Sequence, residues 1–321
     1  MKKYLFLIFL YVTTIGKTFA YDFIANGIAY NKLSDSINIS VTYIRGCQYT
    51  GHIAIPNKVI YRNQSYTVVA IGDSAFRFND KLMAIDLPNT TIFIGKEAFN
   101  GCESLRSVHI PDSVTSIGEE AFEDCTSLPS MVIPKSVIHI DDYAFWRCKN
   151  LSSIELPNSI TSIGFWAFSG CSRLTSITIP RNVNGIGERT FEHCNALKTI
   201  KIPDSVSEIG EAAFYGCMSL SSMHIPMSVT SIGDWAFTDC TGLKSITIPK
   251  SVTYIGKAAF FNCHNLYSIH CKISDPHKIT TGDYAFDKVK TKKCTLYVPG
   301  GSKKCYATAQ QWKNFKKLVE K

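Results

Sequence analysis

The sequence predicts a repeat solenoid: a curved rod lined by β-strands, with short turns or 3-10 segments between them. Three observations predict it. Phenylalanine returns every 23 residues, at Phe76, Phe99, Phe122, Phe145, Phe168, Phe191, Phe214, Phe237 and Phe260, a fixed period of the size that marks stacked repeats. Within each period, a segment of the form L-x-S-I-x-I-P alternates apolar and polar residues, as a strand with one buried face does. The period fails at both ends of the chain, where stacked repeats need capping.

The elements follow in chain order. Residues 1–20 read as a secretory signal peptide, with Lys2 and Lys3 ahead of an apolar run from Leu5 to Val12 and small residues at Thr18 and Ala20. The run is too short to span a membrane, and no later stretch approaches the roughly 20 apolar residues a span requires. Residues 21–68 are expected to form a β-rich cap with a degenerate repeat. Ile37, Ile39, Val41 and Tyr43 alternate, Ile53, Ile55 and Pro56 read as a strand, and the residues around Tyr61-Arg62-Asn63-Gln64 as a hairpin. Nine repeats fill residues 69–271. Residues 272–321 hold a degenerate last repeat rebuilt by Leu296, Val298 and Pro299. A capping helix should follow, with Tyr306, Ala309, Trp312, Phe315 and Val319 along one apolar stripe.

Inside a repeat, such as Leu105 to Phe122, Leu105, Val108 and Ile110 should point inward and Ser107 and His109 outward. Pro111 has no amide hydrogen and ends the strand. Val114 and Ile117 turn inward again, Gly118 permits a turn, and Ala121-Phe122 returns the chain to the core. One such unit buries too little apolar surface to offset its conformational entropy, so stability must come from neighbours about 4.8 Å away.

The unit I-G-x-x-A-F-x-x-C-x-x-L-x-S-I-x-I-P-x-S-V-T-S resembles the BspA-like leucine-rich repeats of bacterial surface proteins, as in Leu174 to Cys194. The stretch from Leu296-Tyr297-Val298-Pro299-Gly300 to Trp312-Lys313-Asn314-Phe315 is similar to the terminal unit of such proteins. The resemblance implies a leucine-rich-repeat-like fold and a secreted or surface-exposed protein engaged in attachment to host proteins or other cells. It supplies no catalytic residues.

Cysteine is the first candidate chemistry. Eight of twelve share one repeat position: Cys102, Cys125, Cys148, Cys171, Cys194, Cys217, Cys240 and Cys263. In-register Cβ atoms about 4.8 Å apart lie beyond the 3.5–4.5 Å or so that a disulfide prefers, and a line of thiols does not surround a tetrahedral metal. Reduced thiols packing as small hydrophobes are expected. Cys271 reads as core, so Cys271 and His277 are set aside as a metal pair. Cys47, Cys294 and Cys305 lie in or near the caps, where a Cys294–Cys305 bridge would tie the last strand to the helix.

Two surfaces are candidates for binding. On the strand face the outward row is Asp86, His109, Val132, Glu155, Thr178, Lys201, His224, Thr247 and His270, beside a Ser/Thr column. One variable row on a constant scaffold is how repeat proteins vary their ligands; an ordinary solvated sheet is the plain alternative. The second surface is an aromatic edge of Tyr143, Trp146, Trp166, Tyr215, Trp235 and Phe261, suited to a protein partner or to stacking on sugar rings, or else simply packed coil on coil.

Charge is uneven. Residues 287–321 hold ten Lys against Asp287 and Glu320, which reads as a solubilising face or as one that meets an anionic surface. An export signal and the lack of aromatics interleaved with the basic residues argue against nucleic acid. The chain has no G-x-S-x-G, H-E-x-x-H, P-loop or dinucleotide fingerprint. The expectation is a noncatalytic, adhesin-like protein with no cofactor, secreted or at the cell surface. It would bind an extracellular or host protein through the strand face, or alternatively a glycan through the aromatic edge.

Overall fold

The computed structural model describes residues 21–35 and 37–321; the signal peptide expected over residues 1–20 lies outside the described residues. From Gly51 onward the chain winds into a β-solenoid of about eleven turns. One ladder of parallel strands starts at Gly51–Ala54 and Leu82–Asp86 and repeats every 23 residues from Ser107–His109 to Ser268–Cys271. A second, of two-residue strands, runs from Phe93–Ile94 to Thr280–Thr281. Register is kept to the residue: Ser130 pairs with Ser153, and Ile246 with Ile269. Where the 3-10 turn Pro276–Lys278 is inserted, the step lengthens to 26 from Tyr254 to Thr280 and to 27 from Ser268 to Thr295.

The Ala-Phe turns are stacked as tightly as the strands. In the first, the N–H groups of Ser74, Phe76 and Phe78 donate to the carbonyls of Lys96, Ala98 and Asn100 of the next coil. Aiming alternate N–H groups along the axis places two residues of each turn in the left-handed region, here Ser74 (φ 55°) and Phe78 (φ 58°). Later coils repeat this at Glu97 and Gly101, Trp166 and Gly170, and Trp235 and Asp239. The conformation costs a non-glycine residue about 1–2 kcal/mol, and the bond it makes to the next coil offsets it.

The glycine that follows the second-ladder isoleucine in most coils has a different cause. A Cβ on Gly118 would lie 2.9 Å from the backbone carbon of Gly95, and one on Gly210 2.8 Å from that of Gly187. Backbones touch there, so one glycine admits the next.

Ten phenylalanines form one stack through the core. Successive rings from Phe76 to Phe260, and on to Phe286, have centroids 5.2–5.7 Å apart and lie within 12° of parallel. Tyr49 closes the stack at one end, 5.1 Å from Phe76. Trp312 and Phe315 close it at the other, 4.7 and 5.3 Å from Phe286.

Before the coils, Phe23–Ala25, Ile28–Lys32 and Asn38–Thr42 form an antiparallel meander whose last strand joins Gln64–Ile71 in parallel. Lys58–Tyr61 and Gln64–Ile71 make a hairpin turning at Arg62 and Asn63, both left-handed, as a two-residue loop requires.

At the C-terminus the expected helix is short. It covers only Lys303–Thr308, followed by a 3-10 turn at Trp312–Asn314 and a strand at Lys317–Glu320. Extended backbone at Ala309 and left-handed Gln311 (φ 66°) stop it. Tyr306, Ala309, Trp312 and Phe315 are buried all the same. Val319 leaves the stripe: it sits opposite Tyr297 on the last strand and is exposed.

Phe168→Ala removes a ring flanked on both sides by stacked neighbours. It is expected to destabilise the solenoid by about 3–5 kcal/mol, read from urea unfolding followed by far-UV circular dichroism.

Candidate binding surface

The thiol ladder belongs to the scaffold. All eight repeat cysteines are fully buried, and every described cysteine is a free thiol. Each repeat thiol lies 3.1–3.2 Å from a phenylalanine carbonyl 26 residues earlier and donates to it: Cys102 to Phe76, Cys171 to Phe145, Cys263 to Phe237. The thiol is thus a hydrophobe with one donor, placed where a carbonyl faces the core. Burial pushes the Cys102 thiol up to about 12 and raises the other seven as well. In the first coil Asn79 takes the position, and its Oδ1 accepts the Tyr49 N–H at 2.6 Å. Cys294 is buried and Cys305 half-buried, each a free thiol.

Cys271 and His277 do not meet. Cys271 Sγ accepts from the Tyr306 hydroxyl at 3.0 Å in the core, while exposed His277 pairs with Thr308. Among the described residues, no group of three or more His, Cys, Asp or Glu is placed to hold a metal ion.

The strand-face row is where the scaffold leaves side chains free. His109, Val132, Glu155, Thr178, Lys201 and His224 are exposed, with Thr247 and His270 half-buried. Cross-strand pairing aligns them: Thr178 with Lys201, His224 with Thr247, Thr247 with His270. From His109 to Thr247, no side chain of the row makes an internal hydrogen bond or ion pair among the described residues. The ends of the row are engaged. Asp86 meets His52 Nε2 at 2.8 Å, and the His270 ring stacks on Tyr297 at 4.4 Å.

The aromatic edge is used internally. Tyr143 stacks on Trp166 at 5.7 Å, and Arg189 lies over Trp166 at 4.7 Å. Arg147 covers Trp146 at 4.0 Å, Lys257 lies over Trp235 at 5.7 Å, and His193 meets Tyr215 edge-on at 5.3 Å. Phe261, like the other five, is half-buried.

Beside this edge runs an open groove of 340 Å³ lined by Glu119, Ile140, Asp141, Asp142, Ser162 and Gly164. Asp141 stands where neighbouring coils carry glycine. Nearby, Asn100 Nδ2 donates to Glu123 at 2.9 Å and reaches Glu120 at 3.4 Å. Burial, a hydrogen bond with Glu120, and the charges of Glu120, Asp124 and Glu97 push the Glu123 carboxyl up to about 8. These acids were scattered in the sequence; the coil repeat gathers them on one edge.

Residues 69–198 and 185–305 match the BspA type leucine rich repeat region, in six copies. The chain belongs to the BspA-type leucine-rich-repeat family. Among solved structures, it is similar to the leucine-rich repeat protein of T. pallidum: 29% identity over 60% of this chain and 87% of that one, TM-score 0.54. It is also similar in fold to a leucine-rich repeat protein of Bacteroides ovatus: 24% identity over 94% of this chain and all of that one, TM-score 0.50. No curated protein matches the chain. Among the described residues, no helix is long and apolar enough to cross a membrane.

Two outcomes are expected of these groups. Iodoacetamide at pH 8 should leave the eight ladder thiols unlabelled in the native protein and label all of them in 8 M urea, as peptide mass analysis would report. Glu123 has a folded pKa above its unfolded value of about 4.5, so ionising it as pH rises through about 8 weakens the fold. Glu123→Gln should therefore be more stable than wild type at pH 9 in urea unfolding, with the difference gone by pH 4.

Proposed function

We propose that the protein is an exported, noncatalytic binding scaffold whose strand-face row engages an extracellular protein. One observation carries this reading: the row from His109 to Thr247 varies in residue type from coil to coil, and its side chains make no hydrogen bond or ion pair among the described residues. Side chains that do nothing for their own scaffold are free for another molecule. A stack of coils in strict register holds them on a rigid surface, so little ordering entropy opposes binding. The leader-like residues 1–20 and the family resemblance support export.

One observation favours glycan binding at the aromatic edge. Tyr143, Trp166 and Trp235 hold left-handed positions, where a bulky residue is costly. Their stacking on one another and under cations gives those rings a structural use, so the strand face leads.

The two readings separate by mutation. Glu155→Lys and Lys201→Glu should each weaken binding to a matrix protein selected from a purified panel by about tenfold, as loss of an interface contact near 1.4 kcal/mol does, with melting temperature unchanged. Trp166→Ala should lower the melting temperature and leave the affinity intact. The opposite pattern, together with competition by soluble sugars, would move the site to the aromatic edge.

A further inference from the structure

The strand face is not electrically uniform. From Thr199–Lys201 to Thr295–Val298 its strands contain no Asp or Glu. On or beside them stand Lys198, Lys201, Lys244, Lys272 and Lys321, all exposed and none in a salt bridge among the described residues. Glu320, on the next strand, does not answer them; its Oε1 accepts the Lys303 N–H at 2.9 Å. Asp204 lies beyond Pro203, past the end of its strand. Other acids of these coils, such as Glu192, Glu211 and Asp239, belong to the turns around Ala-Phe. Over these coils together, the strand face carries positive charge while most of the acids lie off it.

The basic track ends in a notch of 120 Å³ lined by His270, Cys271, Lys272, Tyr297, Val298, Pro299 and Lys321. Lys321 Nζ lies 4.1 Å from the centre of the Tyr297 ring on which His270 also stacks. No carboxylate side chain lines it. Burial, then the charges of Lys321 and Lys272, lowers the His270 pKa. The notch lining brings two lysines, Lys272 and Lys321, to an anion.

The spacing limits what kind of anion lies along the track. Coils repeat about every 4.8 Å, whereas same-face side chains of an extended peptide recur about every 6.7 Å, so peptide carboxylates drift out of step within two coils. One ring of an extended glycan advances by about one coil. Seven ammonium groups, those five with Lys316 and Lys317, stand on or beside the six strands from Thr199–Lys201 to Lys317–Glu320, with Glu320 the one carboxylate side chain on those strands. That net of about one charge per coil is close to the one charge per ring of a polyuronate, whereas a heavily sulfated chain carries several. Between the lysines the strands expose mainly serine and threonine, with Tyr267 exposed in the column of Lys198 and Lys244; hydroxyls and a free ring suit a sugar chain.

We infer that the C-terminal half of the strand face binds a linear uronic-acid polysaccharide laid along the solenoid axis, with one carboxylate seated in the notch between Lys272 and Lys321. This goes beyond the protein reading and needs only residues from Lys198 onward, whereas that reading is tested in part at Glu155, outside the track.

The experiment is calorimetric binding of oligogalacturonate, ten rings long, to the mature chain, with dextran, decaglutamate and heparin as comparisons. Oligogalacturonate is expected to bind, dextran not, and decaglutamate and heparin at least about tenfold more weakly, with affinity falling as salt rises. The triple variant Lys198→Ser, Lys244→Ser, Lys272→Ser should lose at least about tenfold in affinity, or 1.4 kcal/mol, at unchanged melting temperature. The charge-matched Lys290→Ser, Lys292→Ser, Lys303→Ser, off the strand face, should lose less than about twofold in the same assay. Equal losses in the two triples would reduce the effect to net charge and overturn the inference. Failure to bind oligogalacturonate, or decaglutamate or heparin binding as tightly, would overturn it too. Loss of matrix-protein binding on Glu155→Lys alone would leave the protein reading standing through any of these failures.

Discussion

The structure depends on backbone N–H groups that point along the axis. A solenoid coil has two sides that pair as parallel strands, and these account for themselves. The turn joining them is the difficult part, because a tight turn normally bonds within itself and presents nothing to a neighbour. Here the alternation of right- and left-handed residues sends the N–H groups of Phe76 and Phe99 to the carbonyls of Ala98 and Ala121. The stack is therefore bonded around the turns as well as along the strands. The phenylalanine rings fill the space this leaves, and each cysteine thiol satisfies a carbonyl that the turn directs inward.

This constraint explains which residues recur. Glycine recurs after isoleucine because backbones touch there, Asp141 being the exception. Serine in P-x-S-V recurs because its hydroxyl reaches a carbonyl of the preceding coil, as Ser228 to Val206 and Ser251 to Val229. Cysteine recurs because it is small, apolar and still a donor. Positions with no such task vary, and the strand-face row is foremost among them.

The same logic separates what could be read from the sequence from what could not. Period, strand register, the buried face and the ladder of reduced thiols follow from alternation and recurrence alone. The left-handed positions did not show, because Glu97, Tyr143 and Trp166 are not the glycine or asparagine that usually mark them; the backbone sets the conformation there and the side chain tolerates it. The C-terminal stripe had helical spacing, but extended backbone at Ala309 ends the helix and the final residues pair as a strand beside Thr295–Val298. A stripe read every three or four residues records burial, and burial on the last coil is available to any backbone that crosses it. The candidate rows were legible as positions. Whether a ring or a charge was free was not, since Trp166 and Lys201 look equally available in sequence and only the neighbouring coil decides.

A repeat protein makes that distinction sharp because each side chain has neighbours at one fixed spacing. A ring repeated or matched by a cation one coil away is drawn into the stack, as Tyr143, Trp166 and Arg189 are. A charge whose neighbours are serine, threonine or like charge finds nothing to pair with. The aromatic edge meets the first condition and the C-terminal strand face the second. In this fold, a charge left unmatched by both flanking coils stays more open to another molecule than a ring stacked between coils does.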